Sequence, residues 1–314
     1  TLFRSMETNE FTGKLGKCER SSGKVYATYQ PNYLPISISY SEELIRVLSQ
    51  ANVSLGKLAG AGQLLPNPHL LISPYLKREA VLSSKIEGTR TSLSEVFLHE
   101  AKHERKVDDD LQEVLNYIKA LEFGLKAIQT RDINETLILE LHKILMGGVR
   151  GEFKDPGKFR EIQNWIGKPG SDLMSASFVP PRPETLPAYI KNFVEYLNKT
   201  NESSPLVKAG IMHYQFEAVH PFRDGNGRIG RLLIVLYLSK VKILEEPLLY
   251  LSAYFEEYRN QYYDSLLYVS KEGKIEEWLL YFLKGVDQQA QDALQRALAL
   301  EKYRDTCKKR ISAH

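Results

Sequence analysis

The chain has 314 residues, of which 43% are hydrophobic and 26% charged, so it can bury a substantial core in one large domain or two smaller ones. The 42 basic residues are nearly balanced by 39 acidic ones, and no apolar stretch approaches the roughly 20 uninterrupted residues of a membrane helix. From the balanced charge and the lack of a long apolar stretch we expect a protein that binds neither membranes nor nucleic acid. Cys18 and Cys307 lack the spacing of a zinc site or a disulfide framework, from which we expect a cytoplasmic protein.

The first part of the chain, residues 1–110, is predicted to form an N-terminal helical region that covers the functional site. An extended, proline-containing arm runs from Tyr29 to Ile38, and Ser41 is a typical residue to open a helix. A glycine-rich turn is expected next, at Gly56, Gly60 and Gly62.

A further N-terminal helix is predicted over residues 74–87. Ser73-Pro74 is a good helix start, and Gly88 is a natural stop. Ser83 and Glu87 are four residues apart, so their side chains lie on the same helix face. Taken alone, Glu87 is most simply a solvated residue at the end of a helix.

A charged connection from Glu100 to Asp110 leads into the central region, which we place at residues 111–285. Amphipathic helices are predicted at Leu111–Ile128, Ile133–Met146 and Leu186–Leu197. Between the last two, Trp165–Gly170 is a short apolar strand that enters a Gly/Pro turn, which indicates a β-hairpin. Residues 275–304 predict one or two further helices, and residues 286–314 are expected to form a C-terminal helix and tail. The fold is therefore predicted to be mostly α-helical with one small β-hairpin.

The most informative segment is His220-Pro-Phe-Arg-Asp-Gly-Asn-Gly-Arg-Ile-Gly-Arg231. Apolar residues recur at helical spacing from Leu206 to Val219, so His220 lies where one helix ends, and a second, buried helix begins near Asn226. The glycines of the intervening loop let backbone N–H groups converge beside a helix N-terminus. That arrangement predicts an anion-binding site of the kind that holds phosphate.

The charged side chains of this segment suit the handling of nucleotide phosphates. The side chains of Arg228 and Arg231 project from one face of the first helical turn, and an arginine guanidinium can bind phosphate oxygens through two hydrogen bonds. Since positive charge opposes the dipole at a helix N-terminus, these arginines are expected to meet a bound anion. Asp224 would hold Mg²⁺, and His220 can accept a proton near neutral pH. The alternative is an ordinary turn with a capping histidine and a solvated arginine face.

This string matches, residue for residue, the His-x-Phe-x-Asp/Glu-Gly-Asn-Gly-Arg-x-x-Arg signature, and the chain therefore resembles the Fic (Fido) family. Two other segments look like parts of that family. Residues 157–160, 163–167 and 178–181 resemble the flap, a β-hairpin that clamps the target segment over the active site. Ser83-x-x-x-Glu87-Gly88 is similar to the inhibitory motif, whose glutamate pairs with the last signature arginine, here Arg231.

The resemblance implies a Fic-type helical bundle and a protein adenylyltransferase, which transfers AMP from ATP to a Ser, Thr or Tyr hydroxyl of a target protein. The helix at about 74–88 would place the chain in the self-inhibiting class, with Ser83, Glu87 and Gly88 as inhibitory residues. His220 is implied as the catalytic base and Asp224 as the ligand of Mg²⁺ or Mn²⁺. The implied nucleotide-binding residues are Asn164, Trp165, Ile166, Gly167, Asp224, Gly225, Asn226, Gly227, Arg228, Arg231 and Tyr262.

Several alternatives stay open. The same site could remove AMP from modified proteins, or it could be a non-catalytic, nucleotide-binding regulatory module. Doc-type relatives that act as kinases carry Lys where this chain has Gly227, which favours the AMP-transferring orientation of ATP. Tyr262 is placed beside adenine by its position, but core packing explains it nearly as well. The expected partner is a target protein that presents its hydroxyl in an extended segment against the flap, and self-modification and a homodimer are both compatible with the resemblance.

Overall fold

The computed structural model describes residues 6, 8–20, 26–64, 69–102, 107–149, 153–168, 170–199, 204–244 and 247–312. Within them the chain forms a two-stranded sheet and eleven α-helices. The strands are β1 (Gly16–Arg20) and β2 (Ala27–Pro31), and the helices are α1 (Glu42–Leu64), α2 (His69–Ile86), α3 (Leu93–Lys102), α4 (Asp109–Ala127), α5 (Glu135–Met146), α6 (Leu186–Asn198), α7 (Pro205–Val219), α8 (Asn226–Lys240), α9 (Ser252–Glu257), α10 (Arg259–Glu272) and α11 (Ile275–Ser312). The mostly helical fold predicted from the sequence is confirmed.

Helices α7 and α8 form the centre of the fold. Nearly every residue of both helices is buried, on all sides of each helix rather than on one stripe. A helix that is apolar all round must be enclosed by other elements, and here α4, α5, α6 and α11 pack around the pair. The loop between α7 and α8 is therefore carried by the most deeply buried part of the structure. Of the described residues, no helix is both long and apolar enough to span a membrane.

The N-terminal region differs from the prediction at α1. Ser41 does open this helix, because its hydroxyl accepts a hydrogen bond from the Leu44 N–H at 3.1 Å. The predicted glycine-rich turn is wrong, since Gly56, Gly60 and Gly62 all lie inside α1. The buried residues Leu44, Ala51, Leu55 and Leu58 follow a helical period and pack α1 along α11. That burial outweighs the weak helix propensity of three glycines.

Helix α2 begins earlier than predicted. It starts at His69, so Pro74 lies within the helix instead of at its first turn. Proline fixes a φ that a helix can accept and removes only one intrahelical donor, and the chain stays helical on both sides of it. The predicted end is confirmed, because Gly88 adopts a φ of +109° directly after the helix.

The predicted hairpin closes through a single antiparallel bridge between Ile166 and Phe178. The Ile166 N–H donates to the Phe178 carbonyl at 2.8 Å, and the Phe178 N–H donates back at 3.1 Å. The two-stranded sheet lies in the N-terminal region instead, where Gly16–Arg20 pairs antiparallel with Ala27–Pro31. Because the Tyr29 N–H donates to the Val179 carbonyl at 2.8 Å, β2 also fastens the base of the hairpin segment.

The proposed region boundaries stay predictions. Residue 110 lies in the first turn of α4, and residue 286 lies inside the continuous helix α11. Parts of the predicted segments, including residues 1–5, 103–106, 169 and 313–314, lie outside the described residues.

The close approach of α7 and α11 generates a stability prediction. A Cβ at Gly210 in α7 would lie 2.8 Å from Leu279 Cδ2 and 3.3 Å from Phe282 Cδ1, both in buried side chains. We expect Gly210→Leu to lower the free energy of unfolding by about 1–3 kcal/mol through overpacking. Urea denaturation of the purified chain measures this change.

The matched control is Gly56→Leu in α1, where nothing in the described residues lies within 4 Å of the new Cβ apart from the adjacent residues and the helix's own backbone. Leucine is a better helix former than glycine, so this variant should gain up to about 1 kcal/mol. Equal unfolding free energies for the two variants would contradict the packing described here.

Candidate functional site

The loop between α7 and α8 starts with a strained residue. His220 ends α7 with φ 48° and ψ 60°, a left-handed conformation that is uncommon for a residue with a Cβ. The buried Arg160 side chain holds it there, donating from Nε to the His220 carbonyl at 2.9 Å. Asn164 Nδ2 donates to the same carbonyl at 3.2 Å and to the Phe222 carbonyl at 2.8 Å. Two residues that precede α7 in the chain thus fix the backbone of the signature histidine.

The His220 imidazole has a defined tautomer. Its Nδ1 lies 3.2 Å from the Glu217 backbone carbonyl, which can only accept, so Nδ1 carries the proton and Nε2 keeps its lone pair. Burial lowers the pKa of His220 to about 4, with a smaller contribution from the charge of Arg160. The Glu217 carboxyl lies 3.9 Å from Nδ1, and burial raises its pKa to about 8. The imidazole is therefore neutral at neutral pH, as a proton acceptor must be.

Asn226 and Gly225 shape the loop between α7 and α8, residues 220–225, which is predicted to bind an anion and is called the anion loop below. Asn226 Oδ1 accepts from the Phe222 N–H and its Nδ2 donates to the Phe222 carbonyl, both at 2.8 Å. The Asn226 side chain, one of the implied nucleotide-binding groups, thus braces the loop. Gly225 caps α8 with φ +75°, and a Cβ there would approach Met146 Sδ to 2.9 Å. Glycine is required at this position by conformation and by space.

The guanidinium of Arg231 forms hydrogen bonds with Ser83 of α2 and with Glu87, which directly follows that helix. Its side chain is 1% exposed, and its Nε donates to Ser83 Oγ at 2.8 Å. Its Nη2 donates to the Ser83 carbonyl at 2.9 Å and to Glu87 Oε1 at 2.6 Å. The Nη1 nitrogen finds no hydrogen-bond partner in the described part of the chain. The edge of the guanidinium that could fork onto a phosphate is therefore taken by Ser83 and Glu87.

Glu87 remains partly open to solvent, with 33% of its side chain exposed. Burial alone would raise its pKa, but the charge and hydrogen bond of Arg231 prevail and the pKa is lowered. A Cβ at Gly227 would overlap Glu87 Oε1 and lie 3.0 Å from Arg231 Nη1. The carboxylate can reach Arg231 in this geometry because position 227 has no side chain.

The end of α2 is fastened to α9 and α10. Arg259 Nη2 donates to the Ile86 carbonyl, and the Tyr263 hydroxyl approaches the same oxygen at 3.4 Å. Lys85 forms an ion pair with Glu256 at 2.9 Å. These contacts hold the last turn of α2, and with it Ser83 and Glu87, against the first turn of α8.

Arg228 is also paired with a carboxylate. Its Nη1 donates to Glu113 Oε2 of α4 at 2.8 Å, and the two side chains are 5% and 12% exposed. Its Nη2 lies 3.8 Å from Asp224 Oδ1 and 3.6 Å from Met146 Sδ. Glu113 was not predicted as a site residue, because no local pattern in α4 marks it as a partner of a residue 115 positions later.

Asp224 can accommodate a divalent cation. Its side chain is 43% exposed, and one oxygen, Oδ1, accepts from the Gly225 N–H at 2.7 Å. Within the described residues, no cluster of three or more His, Cys, Asp or Glu side chains could hold a metal. Mg²⁺ sites that also use substrate phosphates need only one or two carboxylates, so a lone exposed aspartate beside an anion loop fits that ion.

His142 of α5 was not predicted as a site residue, yet it links the base of the hairpin segment to the loop. The Gly157 N–H donates to its Nδ1 at 2.9 Å, so the proton resides on Nε2, which donates to the Asp224 carbonyl at 3.1 Å. The ring stacks on Phe222 with centroids 3.7 Å apart. Burial lowers its pKa to about 4. A motif search on the signature alone could not find a residue of another helix.

The remaining predicted nucleotide residues lie on two elements. Of the four hairpin residues predicted to bind nucleotide, Asn164 hydrogen-bonds to the signature, and Trp165, Ile166 and Gly167 continue into the exposed hairpin segment. Tyr262 of α10 is 1% exposed and donates to or accepts from His213 Nε2 at 2.7 Å within an aromatic cluster. A side chain so buried cannot border adenine in this conformation, so the core-packing alternative describes Tyr262 here.

Two sequence families match the chain. The model described as the Fic/DOC family N-terminal matches residues 45–126, and the Fic/DOC family model matches residues 132–238. The second match includes the hairpin segment, α7 and most of α8. Together the two matches span more than half of the chain.

Curated relatives cover the same region. A probable protein adenylyltransferase of Aquifex aeolicus (strain VF5) is 30% identical over 165 residues, which are 50% of this chain and 46% of the relative. Protein adenylyltransferase fic-1 of Caenorhabditis elegans is 31% identical over 177 residues, 55% of this chain and 31% of the relative. The chain thus spans less than half the length of each of these two relatives.

Solved structures share the fold. A Fic family protein from Desulfovibrio desulfuricans G20 superposes with a TM-score of 0.65 at 23% identity, over 85% of this chain and 77% of that one. Fic-1 (residues 134–508) from C. elegans gives 0.61 at 23% identity, over 83% and 73%. The family matches, the intact signature and this shared fold lead to one conclusion: the chain belongs to the Fic/DOC family.

Proposed function

We propose that this chain is a protein adenylyltransferase that transfers AMP from ATP to a hydroxyl side chain of a target protein and that Glu87 inhibits it. The observation that carries the proposal is the signature loop, in which a neutral histidine with an available Nε2 adjoins two buried arginines at a helix N-terminus. The relatives named protein adenylyltransferase support the same activity.

His220 is proposed as the base. Its Nδ1 proton is held by the Glu217 carbonyl, which leaves Nε2 to take the proton of the incoming Ser, Thr or Tyr hydroxyl. The hydroxyl oxygen then bonds to the α-phosphorus, the bond from that phosphorus to the bridging oxygen breaks, and pyrophosphate leaves with the electron pair. Arg160 and Asn164 hold the His220 backbone, so the imidazole is fixed before the substrate arrives.

The N-terminus of α8 is proposed to hold the phosphates. Its first N–H groups have no intrahelical partner, and Arg228 and Arg231 would add charge-assisted hydrogen bonds to the β- and γ-phosphates. Asp224 would hold Mg²⁺ or Mn²⁺ beside them. When bound, this ion would neutralise charge on the α- and β-phosphates. These contributions are positioning and charge stabilisation, which phosphoryl-type transfer mainly requires.

The target is proposed to bind along the hairpin segment, near its exposed residues Trp165 and Ile166. This segment closes by one antiparallel bridge, so part of its backbone remains available to pair with an extended target segment. A hydroxyl carried by that segment would be delivered from the side of the site that Asn164 adjoins.

Inhibition follows from the contacts of Arg231. Ser83 and Glu87 take its Nε and Nη2 nitrogens, which form the edge that could bind a phosphate bidentately. With this edge taken, the γ-phosphate lacks a partner, and ATP would bind with its α-phosphate turned away from in-line attack. A small misplacement of reacting atoms can reduce a rate by on the order of 100-fold.

We predict that Glu87→Gly raises AMP transfer by at least about 100-fold, because Arg231 becomes available to ATP. Ser83→Ala should activate less, since the Ser83 carbonyl still accepts from Arg231 Nη2. Transfer of radiolabelled AMP from ATP to the chain itself and to lysate proteins measures both effects.

The control is Arg90→Gly, which removes a charged and exposed side chain three residues further along the same loop. It should leave transfer unchanged. Equal rates for wild type and Glu87→Gly would show that the Glu87–Arg231 pair is a structural contact without inhibitory effect.

The lowered pKa of His220 gives a pH prediction. A base whose pKa is about 4 is already deprotonated at neutral pH and loses activity only as the pH falls toward that value. We expect kcat/KM of Glu87→Gly, measured with Mg²⁺ in excess, to stay level from about pH 7 to about pH 6, a range below the raised pKa of the neighbouring Glu217. An acid limb centred near 6.5, the ordinary value for histidine, would contradict the buried environment described for His220.

His220→Ala in the Glu87→Gly background is the companion variant. It should abolish transfer while ATP binding is retained, because the phosphates are held by other groups. Transfer at the parental rate by this variant would rule out His220 as the base.

A further inference from the structure

The pair between Glu113 and Arg228 is a second buried contact between a carboxylate and a signature arginine. It joins α4 to the first turn of α8 at 2.8 Å, and both side chains are almost fully enclosed. Its position resembles that of the Glu87–Arg231 pair, which joins the end of α2 to the next turn of α8 at 2.6 Å. The two pairs nevertheless use their arginines differently.

Arg228 needs a counter-charge for physical reasons. Its guanidinium is buried, it lies at a helix N-terminus whose dipole repels positive charge, and the also buried Arg231 is one turn away. A buried cation without a partner would be strongly destabilising. Glu113 supplies the charge from α4, where the buried Asn116 fixes the helix by donating to the carbonyls of Leu145 and Gly147.

The nitrogens that each carboxylate occupies distinguish the two pairs. Arg231 gives its Nε and Nη2 to Ser83 and Glu87, so its phosphate-binding edge is consumed. Arg228 gives only Nη1 to Glu113. Its Nη2 lies 3.8 Å from Asp224 Oδ1 and donates a long hydrogen bond to Met146 Sδ at 3.6 Å, and its buried Nε has no hydrogen-bond partner among the residues described.

We propose that Glu113 is a positioning residue for nucleotide binding: it holds Arg228 by Nη1 so that the Nε and Nη2 edge meets the β-phosphate. The inference rests on the proposed nucleotide site but not on its inhibition by Glu87. Glu113 and Glu87 are expected to have opposite effects on nucleotide binding. Glu113 supports the bound phosphate, whereas Glu87 competes with it for an arginine. An arginine side chain that is held in its binding conformation before the nucleotide arrives raises the affinity for that nucleotide roughly fivefold to tenfold.

The test is the affinity of the wild-type chain and of Glu113→Gln for ADP and for AMP, by calorimetry with Mg²⁺ present. Glutamine keeps the size of the side chain and removes its charge. ADP affinity should fall about fivefold to tenfold, whereas AMP, which lacks a β-phosphate, should bind both proteins equally. ADP has no γ-phosphate, so the Arg231 pair does not affect the comparison.

Glu122→Gln is the matched control, because Glu122 lies on an exposed face of the same helix. It should bind ADP as the wild type does. In an Arg228→Gln background, Glu113→Gln should cause no further loss of ADP affinity, since its effect passes through Arg228. If Glu113→Gln does not fold, Glu113→Asp, which keeps the charge but is shorter, should show a smaller loss for ADP alone.

Each other outcome contradicts a defined claim. Tighter ADP binding by Glu113→Gln would make Glu113 a competitor of the phosphate and overturn the inference. Unchanged ADP affinity, or an equal loss for ADP and AMP, would also overturn it. Failure of the wild-type chain to bind either nucleotide would contradict the proposed function itself, and the role of Glu113 with it.

Discussion

Two arginines buried in the first two turns of α8 are the constraint on which the site depends. Positive charge at this end of a helix opposes the dipole, and burial removes the water that would otherwise stabilise it. The fold responds by bringing one carboxylate from the end of α2 and one from α4 to this end of α8. Gly227 completes the arrangement, because a side chain there would overlap Glu87. We propose that Glu87 releases Arg231 when the nucleotide binds. Glu113, by contrast, stays paired with Arg228 and orients it toward the nucleotide.

The surrounding structure encloses this end of α8 and the loop that precedes it. Helices α7 and α8 are enclosed on all sides, and the loop between them is tied from outside by Arg160, Asn164 and His142. His220 is held in a left-handed conformation by these contacts, and its tautomer is set by a backbone carbonyl. The end of α2, by contrast, is fastened through a few contacts to α9 and α10, and Glu87 is one-third exposed. Glu87, the proposed inhibitory residue, is thus far more exposed than the arginine with which it pairs.

The sequence predicted what local chemistry determines. It located α7, α8, the loop between them and the end of α2, because apolar periodicity, a proline and well-placed glycines mark those boundaries. It missed the helical course of Gly56, Gly60 and Gly62, since only packing on α11 makes that helix favourable. It also missed Glu113 and His142, whose roles depend on contacts between distant helices. For Tyr262 the sequence favoured a place beside adenine only slightly over core packing, and burial in the aromatic cluster supports core packing.

The central claim is that Glu87 occupies the γ-phosphate edge of Arg231. The most direct measurement is the ratio of ATP to ADP affinity, determined by calorimetry for the wild-type chain and for Glu87→Gly. With the edge occupied, the γ-phosphate gains no hydrogen bond, so the wild type should bind ATP and ADP about equally. In Glu87→Gly a charge-assisted, bidentate contact becomes available, and ATP should bind about tenfold or more tightly than ADP. The same preference for ATP in both proteins would contradict the account.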